Sequence, residues 1–237
     1  MTPIRFGAYV IGIVVLAAAT PATASEERYN YSVVHPVYGE IGNLVYRIER
    51  TAETMRVSSQ LRIAVTILGI TAYRCESEST ELWRANRLVK LETTMNKDGH
   101  HFEVRGEAQG EKFLVTSNSG TIAASPAVQP PDPWLVKAVG VTSVVSTTTG
   151  RILRAQISGG ESVVIPIQGI DVAARHFSVD DDKHQEVWVD GRDIPVMFRS
   201  IEAGEQVDFV LTTPLAQPAE QAMATVPAPA PSPRSDR

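Results

Sequence analysis

The chain has one cysteine, Cys75, in 237 residues. No intramolecular disulfide is possible, so the fold must hold by its core and its sheet ladders, as a chain of this size can. A lone thiol in an oxidising compartment is safest when buried. Cys75 alternates with Tyr73 and Ser77 and reads as a small core residue. A nucleophile would need a base and a thiolate-stabilising neighbourhood. Excess positive charge is also missing: 22 Lys and Arg stand against 27 Asp and Glu, a formal net charge of −5. Binders of phosphate backbones carry basic stripes, so no nucleic-acid partner is expected. No Gly-x-Ser-x-Gly elbow, His-Glu-x-x-His pair or Gly-x-Gly-x-x-Gly turn occurs, which removes the usual signatures of hydrolases, zincins and dinucleotide binders. Residues 106–112 superficially resemble a phosphate loop, but the spacing is one short and acids sit inside it. There is no internal repeat.

What is present begins with a processing segment at residues 1–24. Arg5 gives a short positive region, residues 6–19 an apolar one, and Ala22-Thr23-Ala24 a small-x-small cleavage site. The apolar run is too short for a comfortable membrane span. Cleavage before Ser25 is expected, with export to the periplasm or outside the cell. No Cys follows the run, so a lipid-modified N-terminus is not expected.

Residues 25–213 read as a single antiparallel β-domain. Met55, Val57, Leu61, Ile63, Val65 and Ile67 share one parity, with mostly polar residues on the other. That is a strand with one apolar face. Thirteen residues would span roughly 40 Å, longer than most strands, so a bend is expected, as in barrels and coiled sheets. Gly69 ends it, and residues 70–83 run back with Tyr73 and Trp83 on one parity. Polar Ser77, Ser79 and Thr80 between them suggest an open or solvated stretch. Further strands fall at 29–35, 43–49, 88–95, 102–108 and 112–116, punctuated by turn residues.

Pro126, Pro130, Pro131 and Pro133 break the pattern. Asp132 can cap, Pro133 can begin a helix, and Trp134, Leu135, Ala138 and Val139 have helical spacing. A single short helix over 133–145 is predicted, although Gly140 and the β-branched residues after it weaken the case. Strands at 151–157 and 161–167 are expected to flank a Gly159-Gly160 turn. Four more, at 174–179, 185–189, 196–201 and 207–211, form a meander. The fold class is mainly β: one long curved antiparallel sheet, a half-barrel or barrel-like. The tail at 214–237 is rich in Pro and Ala and lacks apolar content to fold, so it is expected to be disordered.

Candidate chemistry is sparse. His100 and His101 are adjacent and point to opposite faces of a strand, so they cannot easily share a metal. His176 and His184 could face each other across Asp180-Asp181-Asp182. An EF-hand loop would want alternating acids and a Gly where Gln185 stands, so an acidic turn is the better reading. Asn30-Tyr31-Ser32 fits a glycosylation sequon, which matters only in a eukaryotic secretory route. Tyr73, Trp83, Trp134 and Trp188 could line a cavity on the concave face, against the plainer reading of a packed core.

Residues 31–39 (YSVVHPVYG), 65–70 (VTILGI), 104–108 (VRGEA) and 186–190 (EVWVD), with Pro195-Val196, together resemble an uncharacterised domain-of-unknown-function family of exported bacterial proteins. The closing hairpins are similar to periplasmic half-barrel domains such as the lipoprotein carriers LolA and LolB. The resemblance implies a curved sheet with helix in its concavity, and no chemistry. The leading expectation is a non-enzymatic periplasmic binding module for a lipid or other hydrophobic ligand, or for an envelope protein. It assigns no cofactor, metal or catalytic residue. A structural or interaction protein with a filled core, and a metal-dependent hydrolase using His176, His184 and nearby acids, remain as alternatives.

Overall fold

The computed structural model describes residues 25–214, apart from Ala138, Asp182, Lys183 and Ala203. The predicted leader at 1–24 and nearly all of the tail at 214–237 lie outside the described residues. Fourteen strands form one antiparallel sheet. The first block is β1 (Ser25–His35), β2 (Gly39–Arg50), β3 (Thr54–Ile67), β4 (Ile70–Arg84), β5 (Arg87–Lys97), β6 (His100–Gln109), β7 (Lys112–Ser117) and β8 (Gly120–Ala124). The second is β9 (Gly140–Val145), β10 (Ile152–Ile167), β11 (Ile170–Asp180), β12 (Gln185–Asp190), β13 (Pro195–Glu202) and β14 (Glu205–Leu211). The order is β8-β7-β6-β5-β4-β3-β2-β1-β14-β13-β12-β11-β10-β9, so each block is a meander and β1 joins them by pairing with β14.

The outer strands β8 and β9 do not pair with each other, and the sheet is not closed into a barrel. Its two margins overlap. Gly150, in the link after β9, lies so near Ser117 of β7 that a Cβ there would sit 2.7 Å from the serine's own. The Thr148 hydroxyl is 4.0 Å from the Met95 sulfur of β5. One margin is thus curled inside the other, which is why both Val144 and Val145, on opposite faces of β9, are fully buried.

Period-2 patterning decides which face turns inward. Val57 and Ile63 of β3 are buried on the apolar parity read from the sequence. Cross-strand partners continue the face through Leu44, Cys75, Leu91 and Val104 on one side and Val33, Phe209, Phe198 and Val187 on the other. β3 and β4 bend at a bulge between Val65 and Thr66, as the strand's length demanded.

Three expectations change. The predicted helix shrinks to a 3-10 turn, Pro133–Lys137. Its start is built as expected: the Asp132 carboxylate accepts a hydrogen bond from the Trp134 amide at 2.8 Å. The β-branched residues beyond Gly140 become β9 because β10 offers them a partner. Gly159-Gly160 is a bulge inside the single long strand β10, not a turn between two strands; both glycines have positive φ. Residues 120–124 supply an eighth strand that the turn signals alone did not mark.

Candidate functional site

Antiparallel alternation sorts the turns to two ends. The links after β1, β3, β5, β7, β9, β11 and β13 lie at one end; those after β2, β4, β6, β8, β10 and β12 lie at the other. The segment 125–137 crosses the second end and closes it. The Trp134 ring packs edge-on against Tyr46 at 5.0 Å and tilts against Tyr29 at 5.7 Å. Among the described residues, the first end has no such cover.

The interior is layered between these ends. At the open end a cavity of about 560 Å³ is lined by Ile41, Ile63, Val65, Tyr73, Cys75 and Val207, among others. Its rim carries His35, whose Nε2 lies 3.1 Å from a Glu205 carboxylate oxygen, and Lys97, whose ammonium stands 5.8 Å from the Tyr73 ring centre. The middle layer mixes hydroxyl, amide and acid groups with apolar Leu44, Leu61, Val144, Phe198 and Phe209. Ser59, Ser77, Ser79, Thr93, Ser146 and Gln185 surround a space of about 200 Å³, with the Ser79 and Thr93 hydroxyls 2.9 Å apart. At the closed end a further space of about 210 Å³ is lined by Trp83, Trp134, Met55 and Val57.

Two acids stand at the boundary between the middle and closed layers: Glu81 of β4 and Asp132 of the crossing segment line both spaces. Glu81 is buried, and its carboxylate accepts the Trp83 indole N–H at 2.8 Å. Burial pushes the Glu81 carboxyl well above its usual range, and Asp132 adds to the rise against the opposing Trp83 bond. Asp132 is pushed up to about 6, again by burial, with the Trp134 amide and Lys137 opposing. Two acids facing inward therefore resist ionising together. Their pairing was not visible in the sequence because 51 positions separate them. One signal existed: Glu81 shares the inward parity of Tyr73, Cys75 and Trp83.

The residues proposed from sequence as a lining are dispersed. Tyr73 lines the open cavity, and Trp83 and Trp134 line the closed end. Trp188 lies elsewhere. It pairs with His176 and Met197 on the convex face. There its indole stacks on the His176 ring at 4.7 Å under the Arg199 guanidinium at 5.6 Å. The assignment of Trp188 to the lining is corrected: its neighbour Val187 takes the inward position, opposite Phe198.

His176 and His184 do not face each other. His176 pairs with Trp188 and contacts Glu161 at 2.9 Å, while His184 lies 3.9 Å from Asp180 at the turn. Among the described residues, no group of three or more His, Cys, Asp or Glu could hold a metal ion.

Residues 39–212 match the model of a domain of unknown function, DUF6134, and the chain belongs to that family. No curated protein matches. Among solved structures, the chain is similar to a β-barrel-like protein of domain of unknown function DUF1849 from Brucella abortus. That likeness has a TM-score of 0.61 at 10% identity and covers 82% of this chain and 98% of the other. It speaks for the fold alone.

Proposed function

We propose that this DUF6134 protein is a non-enzymatic, exported binding module that takes the apolar chain of an amphiphile into its open end. The observation that supports the reading is the cavity of about 560 Å³ with apolar walls and a polar rim. Its size falls in the range of ligand pockets, roughly 300–1,000 Å³. A fatty-acyl or similar chain would lie along Ile63, Val65 and Val207, with its headgroup near His35, Lys97 and Glu205. The hydroxyls and acids of the middle layer limit how deep such a chain can go, because setting polar groups against an apolar chain costs free energy. Export to the periplasm or the medium follows from the leader pattern at residues 1–24.

The test is a titration of the solvent-extracted, refolded protein with a dansyl-labelled long-chain fatty acid. Saturable binding that a Val65→Trp substitution removes supports the reading. Absence of saturable binding, together with no lipid in the organic extract of the native protein, would sink it. Sequencing the mature N-terminus checks export: a start at Ser25 is expected.

A further inference from the structure

Two hairpins at the open end stand free of the sheet. The first ladder pair between β2 and β3 is Gly42 with Ile63, and the last between β4 and β5 is Cys75 with Lys97. Residues 65–67 and 70–73 therefore form ladder pairs only with each other. From Ile63, the last residue laddered to β2, the strand of this finger runs on about 13 Å to Ile67 at roughly 3.3 Å per residue. The β1–β2 hairpin rises beside it, and Gly42 marks the split: a Cβ there would lie 2.0 Å from the Arg62 carbonyl oxygen. Tyr38 and Ile67, one from each hairpin, line the same cavity mouth.

The tips are apolar and bare. Leu68 is 98% exposed, Val37 78% and Ile70 72%, with Tyr38 and Ile67 about half exposed. Turn chemistry does not account for them. Leu68 and Gly69 both have positive φ, the two-residue turn that favours Asn-Gly or Asp-Gly. Among the described residues, the other tight turns of this kind are Ala85-Asn86, Asp98-Gly99 and Gln168-Gly169, each with a polar residue or alanine where Leu68 stands. A leucine in that conformation serves neither the turn nor the core.

We infer that the two tips form a membrane-seating lip, which dips into the surface of a lipid bilayer and brings the cavity mouth to the acyl layer. Size argues against a protein partner: five side chains are far fewer than the roughly 20–30 residues a side of a stable interface. Reach argues for lipid, since each headgroup layer is about 5–8 Å thick and the finger runs on further than that. The carboxylates of Glu40 and Glu205 stand exposed at the same end, and the chain carries net negative charge. Insertion is accordingly apolar and does not require anionic lipid.

The inference goes beyond the cavity reading, and the two fail separately. The purified mature protein is floated with vesicles of zwitterionic phosphatidylcholine. The expected result is co-flotation that is little changed by salt. A Leu68→Asp/Ile70→Asp variant should lose it at least tenfold, with an unchanged melting curve and unchanged probe binding. Val164→Asp/Ile170→Asp, on exposed apolar positions at the opposite end, should float like the wild type. A Leu68→Trp variant should show a blue-shifted emission with vesicles. Failure of the wild type to float, or flotation of the double tip variant at wild-type level, would overturn the lip. So would loss of a self-assembled dimer, seen by sedimentation, as the only effect of the tip variant.

Discussion

The two ends of the sheet are built from the same alternating strands and finished in opposite ways. At one end the 125–137 segment folds across, and Trp134, Tyr46 and Tyr29 interlock above buried Glu81 and half-buried Asp132. At the other, apolar side chains continue past the last ladder bond, and no described residue is laid over them. Covering one end and leaving the other bare makes a blind-ended vessel from an open sheet. Packed aromatic side chains finish one end; a cavity of about 560 Å³ opens at the other.

The comparison can be broken by substitution. Tyr46→Ala should cost about 3–5 kcal/mol, as for a large buried aromatic, whereas Tyr73→Ala at the open end should cost less than about 1.5 kcal/mol because the ring already borders empty space. Chemical denaturation reads both; equal losses would erase the distinction between the ends. Val65→Trp should reduce probe binding at least tenfold while moving stability by less than about 1 kcal/mol, since the new ring enters a void rather than a packed core.

The acids sharpen the contrast through pH. Both carboxyls are raised in the folded protein, so the folded state holds protons that the unfolded chain has released. For Asp132 the window runs from its unfolded value near 4 to about 6. Stability should fall as pH rises through that window and stay reduced above it. Glu81→Gln, which keeps an oxygen for the Trp83 indole, should flatten the fall and raise stability at pH 7 by about 1 kcal/mol. Thermal melts from pH 4 to pH 8 check it; a wild-type stability that climbs over this range from these groups would contradict the sign. Smallest in its effect on binding, Trp188→Phe on the convex face should leave probe binding unchanged and cost less than about 1.5 kcal/mol, the stacking on His176 being partly retained.

The curved sheet was legible in the sequence because period 2 is a local signal: Met55 to Ile67 declare their inward face without reference to any other strand. The segment after Gly140 was not, because Val141, Thr142, Val144 and Val145 choose strand only when β10 lies beside them. Gly159-Gly160 carries the same residues as a turn and serves as a bulge; only the register shift against Phe177 and His176 tells them apart. Trp188 was expected inside because it is large and apolar. His176 and Arg199 cover it outside, and that cover depends on cross-strand neighbours some eleven residues away on either side. The site itself was half legible. Tyr73 was found by parity, but the depth at which apolar walls give way to hydroxyls depends on how β3, β4 and β5 align.

The overlapping margins have a mechanical meaning. A closed barrel has a girth set by its strand number and stagger, and cannot widen without tearing backbone bonds. Here the margins of the rolled sheet meet through side-chain contacts such as Gly150 against Ser117 and Thr148 against Met95, not through a strand pairing between β8 and β9. It can loosen or tighten like a clock spring, by sliding side chains over one another while every ladder stays whole. A sheet rolled this way can change its bore without breaking a strand pairing.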